Sequence, residues 1–234
     1  MNPTIVITGA SRGIGFSIAE MFASKGFNLA ICSRNETQIQ KAAETIAANT
    51  GVSVLAKPVD LTNVEDILAF ASSIQALESP VEALINNAGS YVPGMIATEP
   101  AENLELMLST NLMSAYHMSR AIIPLMDKAA KPTIVNISSI AGLNAYPNGG
   151  AYSISKFAMT GLSKGLREEL KEKRIRVTSV YPGAVLTSSW EDTSLPEDRF
   201  ISSEDIAKCI YSVYDLSART VVEDIIIRPQ LGDL

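Results

Sequence analysis

The sequence has few of the residues that build metal sites, disulfide scaffolds or charged surfaces. Its 234 residues include two cysteines, Cys32 and Cys209, and a single histidine, His117. We therefore expect no metal, a reducing compartment and a cytoplasmic location. Only 19% of the residues are charged and the net charge is −6. This balance argues against a nucleic-acid partner, because nucleic-acid binders carry a basic face.

Long hydrophobic runs are also missing. No run of 18 apolar residues occurs, so we expect no membrane span. The first residues lack the basic segment and apolar stretch of a signal peptide. Core-forming residues are abundant, since 47% of the chain is hydrophobic. A chain of this length can bury roughly 70% of its unfolded surface. We expect one domain over residues 1–234.

Short apolar segments alternate with longer helical patterns along the whole chain. Strands are predicted at residues 4–8, 29–32, 52–57, 83–86, 133–137, 177–181 and 224–228. They are continuous apolar runs, as parallel strands covered on both faces require. The sequence therefore predicts an α/β fold, a single-domain doubly wound Rossmann fold whose seven-stranded, mostly parallel sheet has helices on both faces. Ligands bind such sheets at the carboxyl ends of the strands.

Helix signals occupy the segments between the strands. Asn35 can cap one helix, and Thr62 with Glu65 has the form of a capping box for another. Two longer helices are predicted near residues 104–127 and 151–173.

A glycine-rich turn follows the first strand. Its spacing, Gly-x-x-x-Gly-x-Gly, lets the backbone approach a pyrophosphate, and the next helix offers N–H groups at its N-terminus. An ordinary glycine-rich turn is the alternative. The residues expected to contact a dinucleotide here are Gly9, Ser11, Arg12, Gly13, Ile14 and Gly15.

The residues after the second strand favour NADP(H) over NAD(H). An NAD site usually places an acidic residue about 20 residues past the glycines to hold the ribose, and none occurs between residues 26 and 35. Ser33 and Arg34 stand there instead. Arg34 and Arg12 can hold a 2′-phosphate through charge-assisted hydrogen bonds. Two unrelated surface arginines, with Glu36 reaching the ribose, are the alternative.

Later strand ends carry further small or polar residues. Asp60 could present its carboxylate to an adenine amino group, or it could merely lie near a helix start. The residues 86–89 could line a cofactor groove or simply turn the chain. The further cofactor contacts expected are Asp60, Leu61, Asn87, Ala88, Gly89, Tyr152, Lys156, Pro182, Gly183, Val185 and Thr187.

A Tyr-x-x-x-Lys pair follows the fifth strand. Tyr152 and Lys156 would lie one turn apart on one helix face. A phenol has a pKa of about 10, and an ammonium ~4 Å away at an effective dielectric of 20 stabilises the phenolate by about 4 kcal/mol. Lys156 is therefore expected to bring the pKa of Tyr152 near neutrality, which suits a general acid. Ser138 and Ser139 lie upstream and offer a hydroxyl.

Together these residues resemble the classical short-chain dehydrogenase/reductase family over essentially the whole chain. Its first glycine motif is matched by residues 8–15, and its Asn-Asn-Ala-Gly motif by residues 86–89. The resemblance implies a catalytic set of Asn111, Ser139, Tyr152 and Lys156. Ser138 is a possible substitute, but the thirteen-residue interval to Tyr152 favours Ser139.

The resemblance implies an NADP(H)-dependent oxidoreductase that reduces a ketone or 3-oxo group to a secondary alcohol. Tyr152 would donate a proton to the carbonyl oxygen while NADPH delivers a hydride. Ser139 would hydrogen-bond that oxygen. Lys156 would bind the nicotinamide ribose, and Asn111 would hold a water near it.

Substrate contacts are expected from two loops, residues 90–97 and 143–148, and from a short lid, residues 186–203. The side chains assigned to the substrate are Tyr91, Met95, Tyr146 and Trp190. Some of them could instead only seal the core beneath the loops. The resemblance also implies a homodimer or homotetramer built through the two long helices, where Met107, Met113 and Met118 could line the contact.

Two other functions remain open. Reduction of 3-oxoacyl groups on acyl carrier protein would suit the basic helix ends, but the lid is acidic, and solvated helix ends are the alternative. The basic residues are Lys128, Lys131, Lys171, Lys173 and Arg174. The C-terminal residues 227–234 look closer to the branch of 3-hydroxy-acid and serine dehydrogenases. The second function is an NADP(H) sensor without turnover, against which the complete catalytic set argues.

Replacing Arg34 by Asp should weaken NADPH binding much more than NADH binding, because the carboxylate repels the 2′-phosphate that the guanidinium attracts. The measurement is the dissociation constant of each nucleotide for both proteins. An unchanged ratio of the two constants would contradict the 2′-phosphate assignment.

Overall fold

The computed structural model describes residues 2–187 and 193–233. Within them seven strands form one sheet in the order β3-β2-β1-β4-β5-β6-β7, and every neighbouring pair is parallel. The strands are β1 (Thr4–Thr8), β2 (Asn28–Ser33), β3 (Val54–Pro58), β4 (Val81–Asn86), β5 (Thr133–Ile137), β6 (Arg176–Pro182) and β7 (Asp224–Ile227). The predicted Rossmann fold is confirmed, with a sheet that is wholly parallel rather than mostly so.

Helices connect these strands. They are α1 (Gly13–Ser24), α2 (Glu36–Thr50), α3 (Val64–Gln75), α4 (Glu102–Leu108), α5 (Ser114–Ile122), α6 (Gly150–Leu170) and α7 (Ser203–Asp215). From β1 the chain adds β2 and β3 on one side, and it then adds β4 to β7 on the other side of β1. The strand order therefore reverses between β1 and β4. Ligand crevices of doubly wound sheets lie at this switch point, outside the carboxyl ends of the strands.

The core has two layers, one on each face of the sheet. Alternate residues of β1 point to opposite faces, so Ile5 and Ile7 pack with α1, α2 and α7, whereas Val6 packs with α3, α5 and α6. The strands β1, β4, β5 and β6 are buried at every residue. Burial on both faces explains why these strands read as continuous apolar runs.

The N-terminal caps match the sequence in one helix and differ in another. Asn35 caps α2 by accepting a hydrogen bond from the Gln38 N–H at 2.9 Å, as predicted. The capping box predicted at Thr62 is wrong, because Asn63 caps α3 through the Glu65 N–H. The Thr62 hydroxyl instead donates to Asp60 at 2.7 Å.

The long helix predicted over residues 104–127 is interrupted. Between α4 and α5 the residues Ser109–Met113 form a π-helical turn, and Ile123–Leu125 form a 3₁₀ turn. A π turn inserts one extra residue into a helix and is frequently found at functional sites. Here it contains Asn111, which is fully buried.

The amino end of the sheet is closed by a buried polar network. Glu82 accepts the N–H groups of Ala130 and Lys131 and the hydroxyl of Tyr214. Arg176 donates to Thr133 Oγ1 at 2.8 Å and to the Tyr214 carbonyl at 2.9 Å. Buried charges are tolerated when they are paired and fully hydrogen-bonded. The polar groups at the amino end of the sheet thus serve the stability of the fold. Ligands of such sheets bind at the carboxyl end.

In residues 2–187 and 193–233 no helix is both long and apolar enough to cross a membrane. The same residues contain no group of three or more His, Cys, Asp or Glu side chains that could hold a metal ion.

Candidate active site

The glycine turn after β1 lies directly against the residues that follow β4. Gly9 has a φ of +66°, and a Cβ on it would lie 2.9 Å from the Ala88 Cα. A Cβ on Gly15 would lie 2.4 Å from the Asn87 Nδ2. Glycine is required at both positions because the two segments approach too closely for any side chain.

Asn87 holds this contact together. Its Nδ2 donates to the carbonyl oxygens of Thr8 at 2.9 Å and Gly9 at 3.0 Å. The Thr8 hydroxyl accepts the N–H groups of Asn87 and Ala88, both at 3.0 Å. The first and fourth strand ends therefore form one rigid surface at the switch point.

The remaining residues of the turn lie at the start of α1. Arg12 is exposed at the N-cap position and makes no capping hydrogen bond with its side chain. Ser11, Gly13 and Ile14 are half-buried. Thr187, in the loop that follows β6, lies beside Gly13, since a Cβ there would be 3.4 Å from the Thr187 Cγ2. The structure thus brings together the turn and Thr187, which are 174 residues apart in the chain (187 minus 13).

Arg34 and Asp60 lie at the ends of β2 and β3, beside each other. Both are exposed. Hydrogen bonds from Thr62 and then the Arg34 charge lower the pKa of Asp60. The Asp60 Oδ1 already accepts the Thr62 N–H at 2.9 Å, so this carboxylate is partly used by its own turn. Ser33 donates to the Asn35 carbonyl.

Other predicted cofactor contacts are Leu61 after β3 and the residues at and after the end of β6. Packing fixes the position of Leu61, and backbone contacts fix the segment after β6. The Leu61 side chain belongs to the hydrophobic core, so a cofactor could meet only its backbone. Gly183 donates its N–H to Ile227 at 2.8 Å, and Pro182 is the last residue of β6. Val185 is buried and pairs with Ile201.

Asn111 connects three elements from within the π turn. Its Oδ1 accepts the Ser90 N–H at 2.7 Å, and its Nδ2 donates to the Ser90 carbonyl at 3.0 Å. The same Nδ2 lies 2.9 Å from the Ser155 Oγ on α6. Asn111 therefore ties the loop after β4 to the helix that carries Tyr152. Gly89 lies beside it, and a Cβ there would be 3.0 Å from the Asn111 Oδ1 and 3.7 Å from the Lys156 Nζ.

Lys156 is a buried cation near Tyr152. Its Nζ donates to the Ile137 carbonyl at 3.0 Å and lies 5.7 Å from the centre of the Tyr152 ring. Burial lowers the pKa of Lys156 to about 8. Both residues lie on the inner face of α6, as the Tyr-x-x-x-Lys spacing predicts.

The pKa of Tyr152 moves in the direction opposite to the one expected. Burial raises it, a hydrogen bond from Ser139 lowers it in part, and Tyr91 adds to the rise. The prediction that Lys156 brings the pKa of the Tyr152 phenol near neutrality is therefore wrong for this structure. Burial disfavours the charged phenolate, and the Lys156 ammonium donates its hydrogen bond to the Ile137 carbonyl.

Ser138 and Ser139 differ in what their hydroxyls face. Ser138 is buried and donates to the Lys156 carbonyl at 3.2 Å. Ser139 hydrogen-bonds Tyr152 and accepts the Ala141 N–H at 3.1 Å. Of the two, Ser139 has its hydroxyl at the Tyr152 phenol.

Two of the predicted substrate residues lie at Tyr152. The Tyr91 ring packs edge-on against the Tyr152 ring, with centroids 4.9 Å apart, and hydrogen-bonds Tyr146. Met95 is exposed on the same loop as Tyr91. Trp190 lies outside the described residues.

A mostly apolar cavity of about 300 Å³ adjoins Tyr146. Its lining residues are Ile96, Ala145, Tyr146, Gly150, Ser153, Ile154 and Phe157. The Ser153 Oγ is buried and has no hydrogen-bond partner among the described residues. No sequence motif selects Ser153, and its only local signal is its position directly after Tyr152. Met95 does not line this cavity, and its neighbour Ile96 does.

The model of the family described as short chain dehydrogenase matches residues 3–198. The chain belongs to this family. It is therefore an oxidoreductase, and its residues 8–15 and 86–89 lie where the family's motifs predict, at the carboxyl edge of the sheet.

Curated relatives of this short-chain dehydrogenase include two reductases. It is 35% identical over 218 residues to the 3-oxoacyl-[acyl-carrier-protein] reductase of Chlamydia trachomatis serovar D, covering 89% of this chain and 88% of the relative. It is 30% identical over 243 residues to the sepiapterin reductase of Chlorobaculum tepidum, covering 100% of this chain and 99% of the relative.

Solved structures of similar fold include L-sorbose reductase from Gluconobacter frateurii in complex with NADPH and L-sorbose. That structure has a TM-score of 0.89 at 26% identity and covers 97% of this chain and 94% of the other. A metagenomic short-chain oxidoreductase in complex with NADP has a TM-score of 0.83 at 30% identity and covers 98% of each chain.

The buried lysine of this short-chain dehydrogenase should make its stability depend on pH. The pKa of Lys156 is about 8 in the folded protein, below the ordinary lysine value of 10.5 that applies when the chain is unfolded. Between pH 8 and pH 10.5 the unfolded chain thus binds more protons at this residue than the folded protein does. The contribution of Lys156 to the free energy of unfolding therefore rises with pH. The difference in unfolding free energy between the wild type and Lys156→Met should therefore change in favour of the wild type by about 2 kcal/mol from pH 7 to pH 9.5.

Denaturant unfolding at several pH values measures this difference. Lys164→Met, on the exposed side of the same helix, is the control and should give a flat difference. A flat or falling difference for Lys156→Met would refute the burial of a titrating ammonium at this position.

Proposed function

We propose that the protein is an NADP(H)-dependent reductase that converts a ketone or 3-oxo group to a secondary alcohol. The observation that carries this proposal is the meeting of Ser139, Tyr152 and Lys156 at the carboxyl edge of the sheet, beside the glycine turn. A hydroxyl, a phenol and an ammonium are the groups needed to bind a carbonyl oxygen and protonate it. The domain spans residues 1–234, with residues 186–203 as the substrate lid.

The residues of this chain fit NADP(H). The glycine turn exposes backbone at the start of α1, where a pyrophosphate meets N–H groups and a positive helix end. The exposed Arg12 and Arg34 would hold the 2′-phosphate, and Thr187 lies beside Gly13. The NADPH and NADP complexes of two relatives of similar fold support this choice. When bound, NADPH supplies a hydride for the carbonyl carbon.

Tyr152 is the proton donor in this mechanism. A phenol is protonated at neutral pH already at its ordinary pKa of about 10, so the proton is available when negative charge develops on the carbonyl oxygen. The hydrogen bond from Ser139 opposes the rise in pKa that burial causes. The Ser139 hydroxyl stabilises the same oxygen by a hydrogen bond. Lys156, with a pKa of about 8, remains largely protonated at pH 7 and holds the ribose hydroxyls. Asn111 would hold a water near Lys156, as the family resemblance implies, and its side chain also fixes the loop after β4.

The apolar cavity beside Tyr146 would receive the non-reacting part of the substrate. Tyr146 and Tyr91 link it to the Tyr152 ring. Mostly apolar cavities of this size suit an alkyl or aryl group. We therefore place Tyr91 and Tyr146 in substrate binding, with Met95 at the rim of the loop.

Reduction of 3-oxoacyl groups on acyl carrier protein is the second candidate. The similarity to the chlamydial reductase favours it. Two of the basic groups that could attract an acidic carrier are already paired, Lys131 with Asp215 and Lys171 with Glu168. The attraction would therefore depend more on the other basic residues at these helix ends, Lys128, Lys173 and Arg174.

A homodimer or homotetramer is proposed through α4, α5 and α6. Exposed apolar side chains on α4, α5 and the π turn between them are Leu104, Leu106, Met113 and Tyr116, whereas the exposed Ile154 and Phe157 of α6 line the cavity. Met107 and Met118, expected on this surface, are instead fully buried in the core. The two free cysteines suit a reducing compartment, and we propose the cytoplasm as the location.

Tyr152→Phe should abolish NADPH oxidation with a reducible ketone and leave NADPH affinity nearly unchanged. The substitution keeps the ring and removes the proton donor, whose loss costs about 10²-fold to 10⁴-fold in rate. Steady-state kinetics and a fluorescence titration with NADPH measure the two quantities. Tyr211→Phe, remote on α7, is the matched control. Turnover in Tyr152→Phe equal to that of the wild type would remove the catalytic assignment.

A wild-type protein that binds NADPH but reduces no carbonyl compound would favour the alternative function, an NADP(H) sensor without turnover.

Ala145→Leu should narrow the substrate range. The panel is NADPH oxidation with 3-oxoacyl thioesters, 3-oxo acids, simple ketones and pteridines. A larger side chain would fill part of the cavity, so kcat/KM should fall about tenfold for substrates with bulky apolar groups and little for small ketones, at about 0.8 kcal/mol per displaced methylene. Ala48→Leu, on the exposed side of α2, is the control. A uniform fall for all substrates would contradict the placement of the substrate in this cavity.

A further inference from the structure

The loop between β4 and α4, residues 90–99, is fixed at both ends to the elements that carry Asn111 and Tyr152. At its start, Ser90 exchanges two hydrogen bonds with the Asn111 side chain. At its end, the Glu99 Oε1 accepts the Ala151 N–H at 2.9 Å. Ala151 is in the first turn of α6 and directly precedes Tyr152. A single carboxylate therefore links the loop to the beginning of the Tyr152 helix.

This carboxylate supplies what α6 lacks. The first N–H groups of a helix have no partner within the helix and are usually satisfied by an N-cap side chain. The N-cap residue of α6 is Gly149, which has no side chain to offer. Glu99, 52 residues earlier in the chain, takes over that role, and its negative charge also suits the positive end of a helix.

The chain makes room for the carboxylate on two sides. A Cβ on Gly94 would lie 2.5 Å from the Glu99 Oε2, and a Cβ on Gly150 would lie 2.7 Å from the Glu99 Oε1. Gly150 also has a φ of +34°. Both positions therefore require glycine while Glu99 stays in place.

Backbone contacts complete the link between the loop and the helix. Gly94 donates its N–H to Asn148 at 3.0 Å and pairs with Gly149. Tyr91, earlier in the same loop, packs its ring on the Tyr152 ring. The position of Tyr152 thus depends on α6 from one side and on this loop from the other, and Glu99 fixes the two to each other.

We propose that Glu99 is a positioning residue for Tyr152. Its carboxylate caps α6 and holds the loop that carries Tyr91, which keeps the phenol in register with Ser139. The proposal rests on the proposed function, in which Tyr152 is the proton donor. Glu99 itself touches neither Tyr152 nor the reacting atoms in the contacts described.

The test compares Glu99→Ala with Glu99→Gln. Glu99→Ala should lower kcat about 10-fold to 100-fold, because small displacements of a catalytic group have effects of this size. The KM for the ketone and the affinity for NADPH should stay within about twofold. Glu99→Gln keeps an oxygen that can accept the Ala151 N–H and should recover most of kcat. The matched control is Glu105→Ala, which removes an exposed carboxylate on α4.

A second variant and a second measurement do not depend on turnover. Gly94→Ala keeps Glu99 but places a Cβ where the carboxylate lies, and should reproduce Glu99→Ala. Hydrogen exchange of the Ala151 amide, measured without substrate, should be faster in Glu99→Ala and Gly94→Ala than in the wild type and in Glu99→Gln.

Three outcomes would overturn the proposal. They are wild-type kcat in Glu99→Ala, equal losses of kcat in Glu99→Ala and Glu99→Gln, and loss of NADPH binding in both Glu99→Ala and Gly94→Ala, which would assign Glu99 to general stability. If the wild type reduces no carbonyl, the proposed function fails. Unchanged exchange of the Ala151 amide refutes the role of Glu99 separately.

Discussion

The hydrogen bonds of Asn111 are the interaction on which the geometry of the site most depends. One amide side chain holds the backbone of Ser90 at both its N–H and its carbonyl, and it reaches the Ser155 hydroxyl on α6. These contacts join a helix, a loop and a second helix that are far apart in the chain. The π turn makes this possible, because the extra residue changes the direction of the side chain relative to a regular α-helix.

A second set of buried polar groups fixes α6 to the sheet. Asn86 donates to Asn136 at 2.8 Å, Asn136 donates to Ser163 at 2.8 Å, and Lys156 donates to the Ile137 carbonyl at 3.0 Å. A buried polar group left without a partner is costly, and among the described residues the Asn86 Oδ1 has none. The support of α6 on β4 and β5 therefore depends on the bonds to Asn136, Ser163 and Ile137.

The fold could largely be predicted from the sequence, because apolar runs are local patterns. The strand-end motifs likewise predicted which side chains lie together at the carboxyl edge of the sheet, where the site is proposed. The cap of α3 could not, since Thr62 and Asn63 are both good capping residues and only the bond from Thr62 to Asp60 decides between them. The direction of the Tyr152 pKa depends on burial, which spacing does not contain. Glu99 carries no motif, and its partner Ala151 contributes only a backbone N–H.

The two anchors of residues 90–99 have a consequence for how specificity can change. Between Ser90 and Glu99 the loop has Tyr91, Met95 and Ile96 exposed, whereas its ends are fixed by Asn111 and Ala151. Loops held on rigid supports tolerate exchange of sequence and even of length. The exposed side chains of Met95 and Ile96 can therefore be exchanged, in evolution or by design, while Tyr91 keeps its contact with Tyr152 and Gly94 its pairing with Gly149. The outer surface of the loop then changes without moving the Tyr152 phenol.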